Sequence, residues 1–156
     1  MSPAPRLIAR VQAEDFDLSA EVARLTEGRA DIGAVATFTG LVRDTARGAP
    51  ITAMTLEHYP GMTERALTAI LQRAAARWPL QGALAVHRFG TLAPADRIVL
   101  TAAASPHRQA AFEAAAFVMD FLKTEAPFWK KEAGPGGAAW VDARESDEAA
   151  RARWEG

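Results

Sequence analysis

The sequence contains no cysteine, which excludes disulfide bonds, thiolate metal sites and cysteine nucleophiles. Histidine is also scarce, with three scattered residues that give no metal-ligand spacing. No stretch approaches the about 20 apolar residues of a membrane span, and the proline-containing N-terminus does not resemble a signal peptide. We therefore expect a cytoplasmic protein that uses no metal or cofactor and contacts no membrane.

A strong charge of one sign is missing too, because 18 Lys and Arg face 19 Asp and Glu for a net charge of −1. No general basic field can attract nucleic acid, so any anionic ligand must be bound by a local cluster. The 156 residues fit one domain, 1–156, in which a hairpin and tail from about 126 to 156 form an appended part.

Hydrophobic periodicity predicts a mixed succession of helices and strands. The longest predicted helix starts at Ser105 and Pro106, a serine N-cap followed by proline at the first helical position. Hairpins occur among the strands and no glycine-rich nucleotide-binding loop is present, so the order predicts an α+β fold. The predicted strands are 7–11, 32–42, 51–58, 83–89, 97–104, 129–133 and 139–144, and the predicted helices are 17–28, 62–78, 105–124 and 146–153.

Lysine is the rarest charged residue and the most unevenly placed. Lys123, Lys130 and Lys131 fall within nine residues, whereas all other basic residues among the 18 are arginines spread along the chain. A lysine, unlike an arginine, can lose its proton when it is partly buried or lies beside another cation, so this segment could supply a reactive amine. The alternative is a solvated basic patch near a helix C-terminus, where cations are favoured.

Other basic residues could bind an anion. His107 and Arg108 fall in the first turn of a predicted helix, where free backbone N–H groups attract anions and a cation is otherwise unfavourable. Arg43 follows a buried strand and opens a loop, a common position for ligand contacts. In each case the alternative is a side chain that simply faces water. His58 and His87 lie within strand patterns and are interpreted as packing residues.

Several segments together resemble the large, catalytic subunit of molybdopterin synthase. The likeness extends from about residue 32 to residue 153, and its most specific runs are LEHYPGM and APFWKKE. The resemblance implies an α/β-hammerhead core with an additional antiparallel α+β portion. The matching segments are 36–43, 55–62, 77–80, 87–90, 105–108, 121–124, 126–132 and 140–144.

The resemblance also implies a reaction, the conversion of cyclic pyranopterin monophosphate to molybdopterin by insertion of two sulfurs as a dithiolene. The sulfur is delivered as a thiocarboxylate on the C-terminal Gly-Gly of a small ubiquitin-like carrier subunit. Two large subunits form a homodimer, which becomes a heterotetramer with a carrier at each end. A chain without cysteine cannot carry the sulfur itself, which agrees with this scheme.

Residue by residue, the resemblance implies that Lys123 and Lys130 are catalytic and also bind substrate. Leu41 departs from the family, in which this position is often lysine, so only a backbone contact could be retained there. No metal site is implied. The remaining substrate-binding residues that the resemblance implies are Leu41, Val42, Arg43, His107, Arg108, Lys131, Glu132 and Arg144.

His107 and Lys123 lie 16 residues apart on one predicted helix, and a rise of about 1.5 Å per residue separates them by about 24 Å. One small pterin cannot contact both. Either the helix is broken, or, as we predict, each active site takes His107 and Arg108 from a second large subunit. Two rival functions are a binding module for anionic metabolites, which needs no amine, and an adaptor that only docks a ubiquitin-like protein.

Overall fold

The structure is a computed structural model that describes residues 3–141 and 145–155, with the side chains of 145 and 146 excepted. Helices and strands alternate in the mixed order expected, and the α+β prediction is confirmed. The helices are α1 (Leu18–Thr26), α2 (Met62–Arg77), α3 (Arg108–Glu125) and α4 (Glu145–Ala152). The strands are β1 (Arg6–Gln12), β2 (Ala34–Leu41), β3 (Thr45–Ala46), β4 (Ala49–Pro50), β5 (Ala53–His58), β6 (Gly82–Arg88), β7 (Gly90–Leu92), β8 (Arg97–Ser105), β9 (Phe128–Gly134) and β10 (Gly137–Val141).

The first sheet has the strand order β1-β6-β8-β2, with β1 parallel to β6 and the other pairs antiparallel. Helices α2 and α3 cover one face, where alanines of the strands, such as Ala83 and Ala103, let Leu67 and Phe121 approach closely. Helix α1 covers the other face with Leu25. Because both faces are buried, β6 is an almost continuous apolar run instead of an alternating one.

The second sheet has the order β10-β9-β5-β7 and is entirely antiparallel. Its inner face carries Met54 and Leu56, which pack with Val42 and Leu92 in a small separate cluster. Successive side chains of a strand point to opposite faces, so the residues between them lie on an outer face. This alternation decides which of the neighbouring residues on β9 reach the same side.

The start of α3 differs from the prediction. The helix begins at Arg108 with His107 as its N-cap, while Ser105 is the last residue of β8 and pairs with Ala34. Serine and proline at 105–106 resemble a helix start, but the sheet holds Ser105 and the helix can begin only after the chain leaves it. The loop before β2 lies close by, because a Cβ atom on Gly33 would stand 2.0 Å from the Pro106 carbonyl oxygen.

Two connections also differ from the expected pattern. Strands β6 and β8 do pair as an antiparallel hairpin, as predicted, but the chain between them forms β7, which joins the second sheet. The segment 43–50, predicted as a plain loop, contains the small hairpin of β3 and β4. Arg47 and Gly48 form its turn with φ angles of 53° and 79°, the left-handed conformation of tight hairpin turns.

Candidate active site

A cavity of about 170 Å³ lies where the end of α3, the inner face of the second sheet and the β3–β4 hairpin meet. Two of the three lysines, Lys123 and Lys130, line this cavity together with Arg43, and a role in the site was predicted for all three from the sequence. The lining residues are Arg43, Thr45, Ile51, Met54, Lys123, Lys130, Glu132 and Asp147. Three cations and two carboxylates therefore face one another, and the formal excess of one positive charge suits an anionic ligand.

Local chain geometry brings Lys123 and Lys130 together. Lys123 lies in the last turn of α3, and the chain then reverses so that β9 begins at Phe128. In this reversal the Phe128 N–H donates to the Ala126 carbonyl at 2.9 Å. Lys130 then points inward, because it pairs with Leu56, which is buried on the inner face. The two lysines predicted to act together thus line one cavity.

Lys131 lies on the other side of the sheet. It pairs with Thr55 and Trp140, and its ammonium group stands 5.6 Å from the centre of the Trp140 ring. The two-residue period of a strand requires this, since Lys130 faces inward. The structure therefore does not bring Lys131 to the cavity, and its expected substrate contact stays a prediction.

Four of the other expected substrate residues divide into two groups. Arg43 and Glu132 line the cavity. Leu41 is 53% exposed, and Val42 is 2% exposed in the small cluster of the second sheet. The Val42 N–H donates to the Asp96 carbonyl at 2.9 Å, so that backbone donor is already occupied. Neither Leu41 nor Val42 lines the cavity.

His107 and Arg108 are exposed at the opposite end of α3 from Lys123. The helix runs unbroken from Arg108 to Glu125, which excludes the alternative of a break. One copy of the chain therefore holds these residues about 24 Å from Lys123, as the helical rise requires. Arg144, the last expected substrate residue, lies outside the described residues.

A buried histidine lies beneath the cavity. His87 is 6% exposed, and its ring stacks on Phe128 with centroids 3.8 Å apart. Burial, with a smaller contribution from the positive charge of Lys123, lowers the pKa of His87 to about 4. The imidazole is therefore neutral near pH 7. Its predicted packing role is confirmed, and so is that of His58, whose ring lies 4.4 Å from Phe89.

Four lining residues were not singled out from the sequence. Thr45 and Ile51 reach the cavity through the β3–β4 hairpin, and Met54 through the inward register of β5. The Arg-Gly turn at 47–48 could have indicated this hairpin. Asp147 gave no local signal, because its place depends on how α4 packs against the rest of the protein.

The sequence profile of the MoaE family, described as MoaE protein, matches residues 11–125. The chain belongs to the MoaE family. It is 59% identical over 145 residues to the molybdopterin synthase catalytic subunit of Ralstonia nicotianae, covering 93% of this chain and 82% of that protein. Its fold matches a molybdopterin biosynthesis MoaE protein from Burkholderia ambifaria with a TM-score of 0.83, at 53% identity over 96% of this chain and 99% of that one.

A more distant MoaE relative shows that the fold extends beyond close homologues. The solved molybdopterin synthase from Staphylococcus aureus matches with a TM-score of 0.75 and 33% identity, over 85% of this chain and 95% of that chain. The family predicted from the matching segments is confirmed. Within the described part of the chain, no helix has the length and apolar character needed to cross a membrane.

Proposed function

We propose that this chain is the catalytic subunit of a molybdopterin synthase, which converts cyclic pyranopterin monophosphate to molybdopterin during molybdenum cofactor biosynthesis. The observation that carries the proposal is the cavity in which Lys123 and Lys130 face Arg43. The proposal is also supported by the high sequence identity between this chain and proteins named molybdopterin synthase catalytic subunit. The reaction is a sulfur transfer that installs two sulfurs as a dithiolene.

The charges of the cavity suit this substrate. Arg43 can bind the cyclic phosphate through its planar guanidinium, and Lys130 can hold the anion as a point charge from the neighbouring strand. Lys123, exposed at the end of α3, is placed to assist attack of the thiocarboxylate sulfur on the pterin side chain, by proton transfer or by a covalent intermediate. Glu132 closes the cavity beside them.

The chain has no cysteine and cannot carry the sulfur itself, and we propose that a second subunit delivers it. The relatives' name, catalytic subunit, agrees with an assembly of more than one kind of chain. We assign this role to a small ubiquitin-like carrier with a C-terminal Gly-Gly thiocarboxylate. Among the described strands β10 pairs only with β9, and such a free edge can bind an extended tail by backbone hydrogen bonds. This supports the strands flanking Gly134–Gly137 as part of the tail channel.

A homodimer of large subunits is supported by one edge of the first sheet. Strand β2 pairs only with β8 among the described strands, and unpaired edges favour association. Apolar side chains are exposed on this strand and on α3: Phe38 is 44% exposed, Leu41 53% and Phe112 66%. Large exposed apolar side chains that form one patch are typical of interaction surfaces.

A two-fold axis at this edge would also complete the active site. If this axis is perpendicular to α3, the two α3 helices run antiparallel and the N-terminal end of one lies beside the C-terminal end of the other. His107 and Arg108 of the partner subunit would then approach Lys123. This arrangement removes the about 24 Å separation found within one copy, and it is our proposal for how the expected substrate residues come together.

Reconstitution tests the function directly. The protein is mixed with thiocarboxylated carrier and cyclic pyranopterin monophosphate, and the dithiolene product is measured. Lys123→Ala should abolish turnover while circular dichroism and the unfolding midpoint stay at wild-type values. If arginine at both 123 and 130 supports full function, the anionic-metabolite module is the better explanation. Carrier-tail binding without any pterin binding would favour the docking adaptor.

Subunit exchange tests the shared site. A homodimer of Lys123→Ala subunits and a homodimer of Arg108→Ala subunits should each be inactive. When the two variants are mixed and exchange subunits, each heterodimer has one site with both Lys123 and Arg108 unchanged and one site with both replaced. Statistical exchange should restore about a quarter of wild-type activity, because half of the dimers are mixed and half of their sites are intact. No recovery after demonstrated exchange would show that both residues act within one chain or that the site is arranged otherwise.

A further inference from the structure

Asp147 is the one lining residue of the lysine cavity that belongs to α4. We propose that Asp147 is a positioning residue for the cavity amines, and that docking of Trp154 onto α2 and α3 sets its place. The catalytic meaning of this inference rests on the proposed function. The contacts that support it, and the first measurement below, do not depend on that function.

Trp154 is bound by several contacts at once. Its indole N–H donates to the Asp120 carboxylate at 2.7 Å. Its ring meets Trp78 and Phe117 edge-on, with centroids 5.6 Å away in each case. Arg77 donates from its guanidinium to the Trp154 carbonyl oxygen at 2.8 Å. Aromatic packing and hydrogen bonds to charged groups make this a specific attachment.

Neighbouring arginines tie the same end of the chain to α3. Arg153 pairs with Asp120 at 2.7 Å, and Arg151 pairs with Glu125 at 3.4 Å. Glu125 is the last residue of α3 and lies only two positions after Lys123. Helix α4 is therefore fixed to the same end of α3 that carries the cavity lysine.

The position of Asp147 depends on this attachment. Helix α4 has eight residues, and an isolated helix of this length is not stable in water, because nucleation costs more than so few hydrogen bonds return. Trp154 lies two positions beyond Ala152, the last residue of α4, and the helix from Asp147 to Ala152 is about 7.5 Å long. The indole thus lies away from the cavity, yet its docking determines where the Asp147 carboxylate stands.

The carboxylate lies in a predominantly cationic environment. The charged groups that line the cavity with it are Arg43, Lys123, Lys130 and Glu132. A negative charge among amines stabilises their charged form and restrains their orientation. Asparagine at 147 keeps the size of the side chain and removes this charge, which leaves Glu132 as the one lining carboxylate and favours the neutral, more reactive amine.

The small number of lysines makes a direct test possible. Purified protein is treated with a limiting amount of an amine-acetylating reagent at fixed pH, and modification at each lysine is measured by mass spectrometry. Lys131, on the outer face of the sheet, serves as the internal reference. The variants are Asp147→Asn, Asp147→Glu, Trp154→Ala and the double variant Asp147→Asn with Trp154→Ala. Glu148→Gln is the matched control, because it removes the charge of the adjacent carboxylate, which does not line the cavity, and leaves an amide oxygen that can still accept from Arg151.

We expect Asp147→Asn to raise acetylation of Lys123 or Lys130 relative to Lys131 by about threefold to tenfold. Asp147→Glu should restore the wild-type ratio, and Glu148→Gln should not change it. Trp154→Ala should reproduce the effect of Asp147→Asn, and the double variant should show no more than the larger single effect, since both act through one carboxylate. In turnover assays the same variants should shift the pH profile of kcat.

An unchanged acetylation ratio in Asp147→Asn would overturn the positioning role. A changed ratio in Asp147→Asn but not in Trp154→Ala, or additive effects in the double variant, would overturn the attachment through Trp154. Should Trp154→Ala lower the unfolding midpoint, Trp154→Phe is used instead. It keeps a smaller aromatic ring in place and removes the N–H that donates to Asp120, and a ratio between those of wild type and Asp147→Asn is then expected. Absence of turnover in the wild-type protein would count against the proposed function alone.

Discussion

The buried imidazole of His87 should make the protein less stable as the pH falls below about 6.5. In the folded protein burial lowers the pKa of His87 from 6.5 to about 4, while an unfolded chain restores the ordinary value. Between these two pH values the unfolded state binds a proton that the folded state does not. The free energy of unfolding therefore rises with pH across this window, and the stability is lost as the pH falls through it.

The size of the effect follows from the two pKa values. They differ by about 2.5, and each unit corresponds to about 1.36 kcal/mol, so the full window amounts to about 3 kcal/mol. Between pH 7 and pH 5 the same relation gives a loss of about 2 kcal/mol. No discount for solvent screening is needed, because the side chain is only 6% exposed.

Urea unfolding at pH 7, 6 and 5 would measure this loss in the wild-type protein and in His87→Phe. Phenylalanine can retain the stacking on Phe128 and cannot titrate. It loses the hydrogen bond that the imidazole Nδ1 donates to the Arg88 carbonyl at 2.8 Å. This loss should lower the free energy of unfolding by about 1 kcal/mol at every pH. The variant should therefore start less stable at pH 7 and fall less steeply toward pH 5.

The test compares how much the free energy of unfolding changes between pH 7 and pH 5 in each protein, so the lower stability of His87→Phe at pH 7 does not affect it. His107→Gln is the matched control, since His107 is exposed and should leave the pH dependence of the wild-type protein in place. Equal losses between pH 7 and pH 5 in the wild-type protein and His87→Phe would refute the argument. Such a result would mean that the imidazole binds its proton in the folded state, through local opening or entry of water.

Three further predictions concern the cavity and its supports. Lys130→Ala should lower turnover in the reconstituted assay much more than Lys131→Ala, because only Lys130 faces the cavity; equal losses would contradict this. Gly33→Ala should lower the free energy of unfolding by about 2 kcal/mol or more through collision with the Pro106 carbonyl, whereas Gly136→Ala, which has open space, should not. Thr63→Val should cost about 2 kcal/mol in urea unfolding, because the Thr63 hydroxyl donates to the Pro127 carbonyl at 3.1 Å and accepts from the Tyr59 N–H.

The sequence was informative wherever a residue's role depends on local geometry. The concentration of lysines at 123–131 predicted a functional segment, and the cavity contains two of them. The alternation along a strand could also have separated Lys130 from Lys131, since adjacent residues on a strand face opposite sides. The helix length alone predicted that His107 and Lys123 cannot meet within one copy, and the unbroken α3 agrees.

Sequence patterns failed where tertiary structure overrides local preference. Ser105 and Pro106 have the chemistry of a helix start, yet strand pairing with β2 keeps Ser105 in the sheet. Strand β7 lies between β6 and β8 in the chain but joins the second sheet, because it pairs with β5, which is more than 30 residues earlier. Asp147 lines the cavity from α4, and the segment that follows α4 packs on α2 and α3 through Trp154. No short pattern encodes such contacts.

The proposed dimer gives the two ends of α3 complementary roles. Arg108 lies at the N-terminal, partially positive end of its own helix, where a cation is unfavourable unless an anion is bound. Lys123 lies in the last turn, where a cation is favoured. In an antiparallel pair each Arg108 would stand near the partially negative end of the partner's α3, beside the partner's Lys123. The phosphate would then lie between a helix N-terminus that attracts anions and a lysine that the opposite helix end stabilises, and neither subunit alone could offer both.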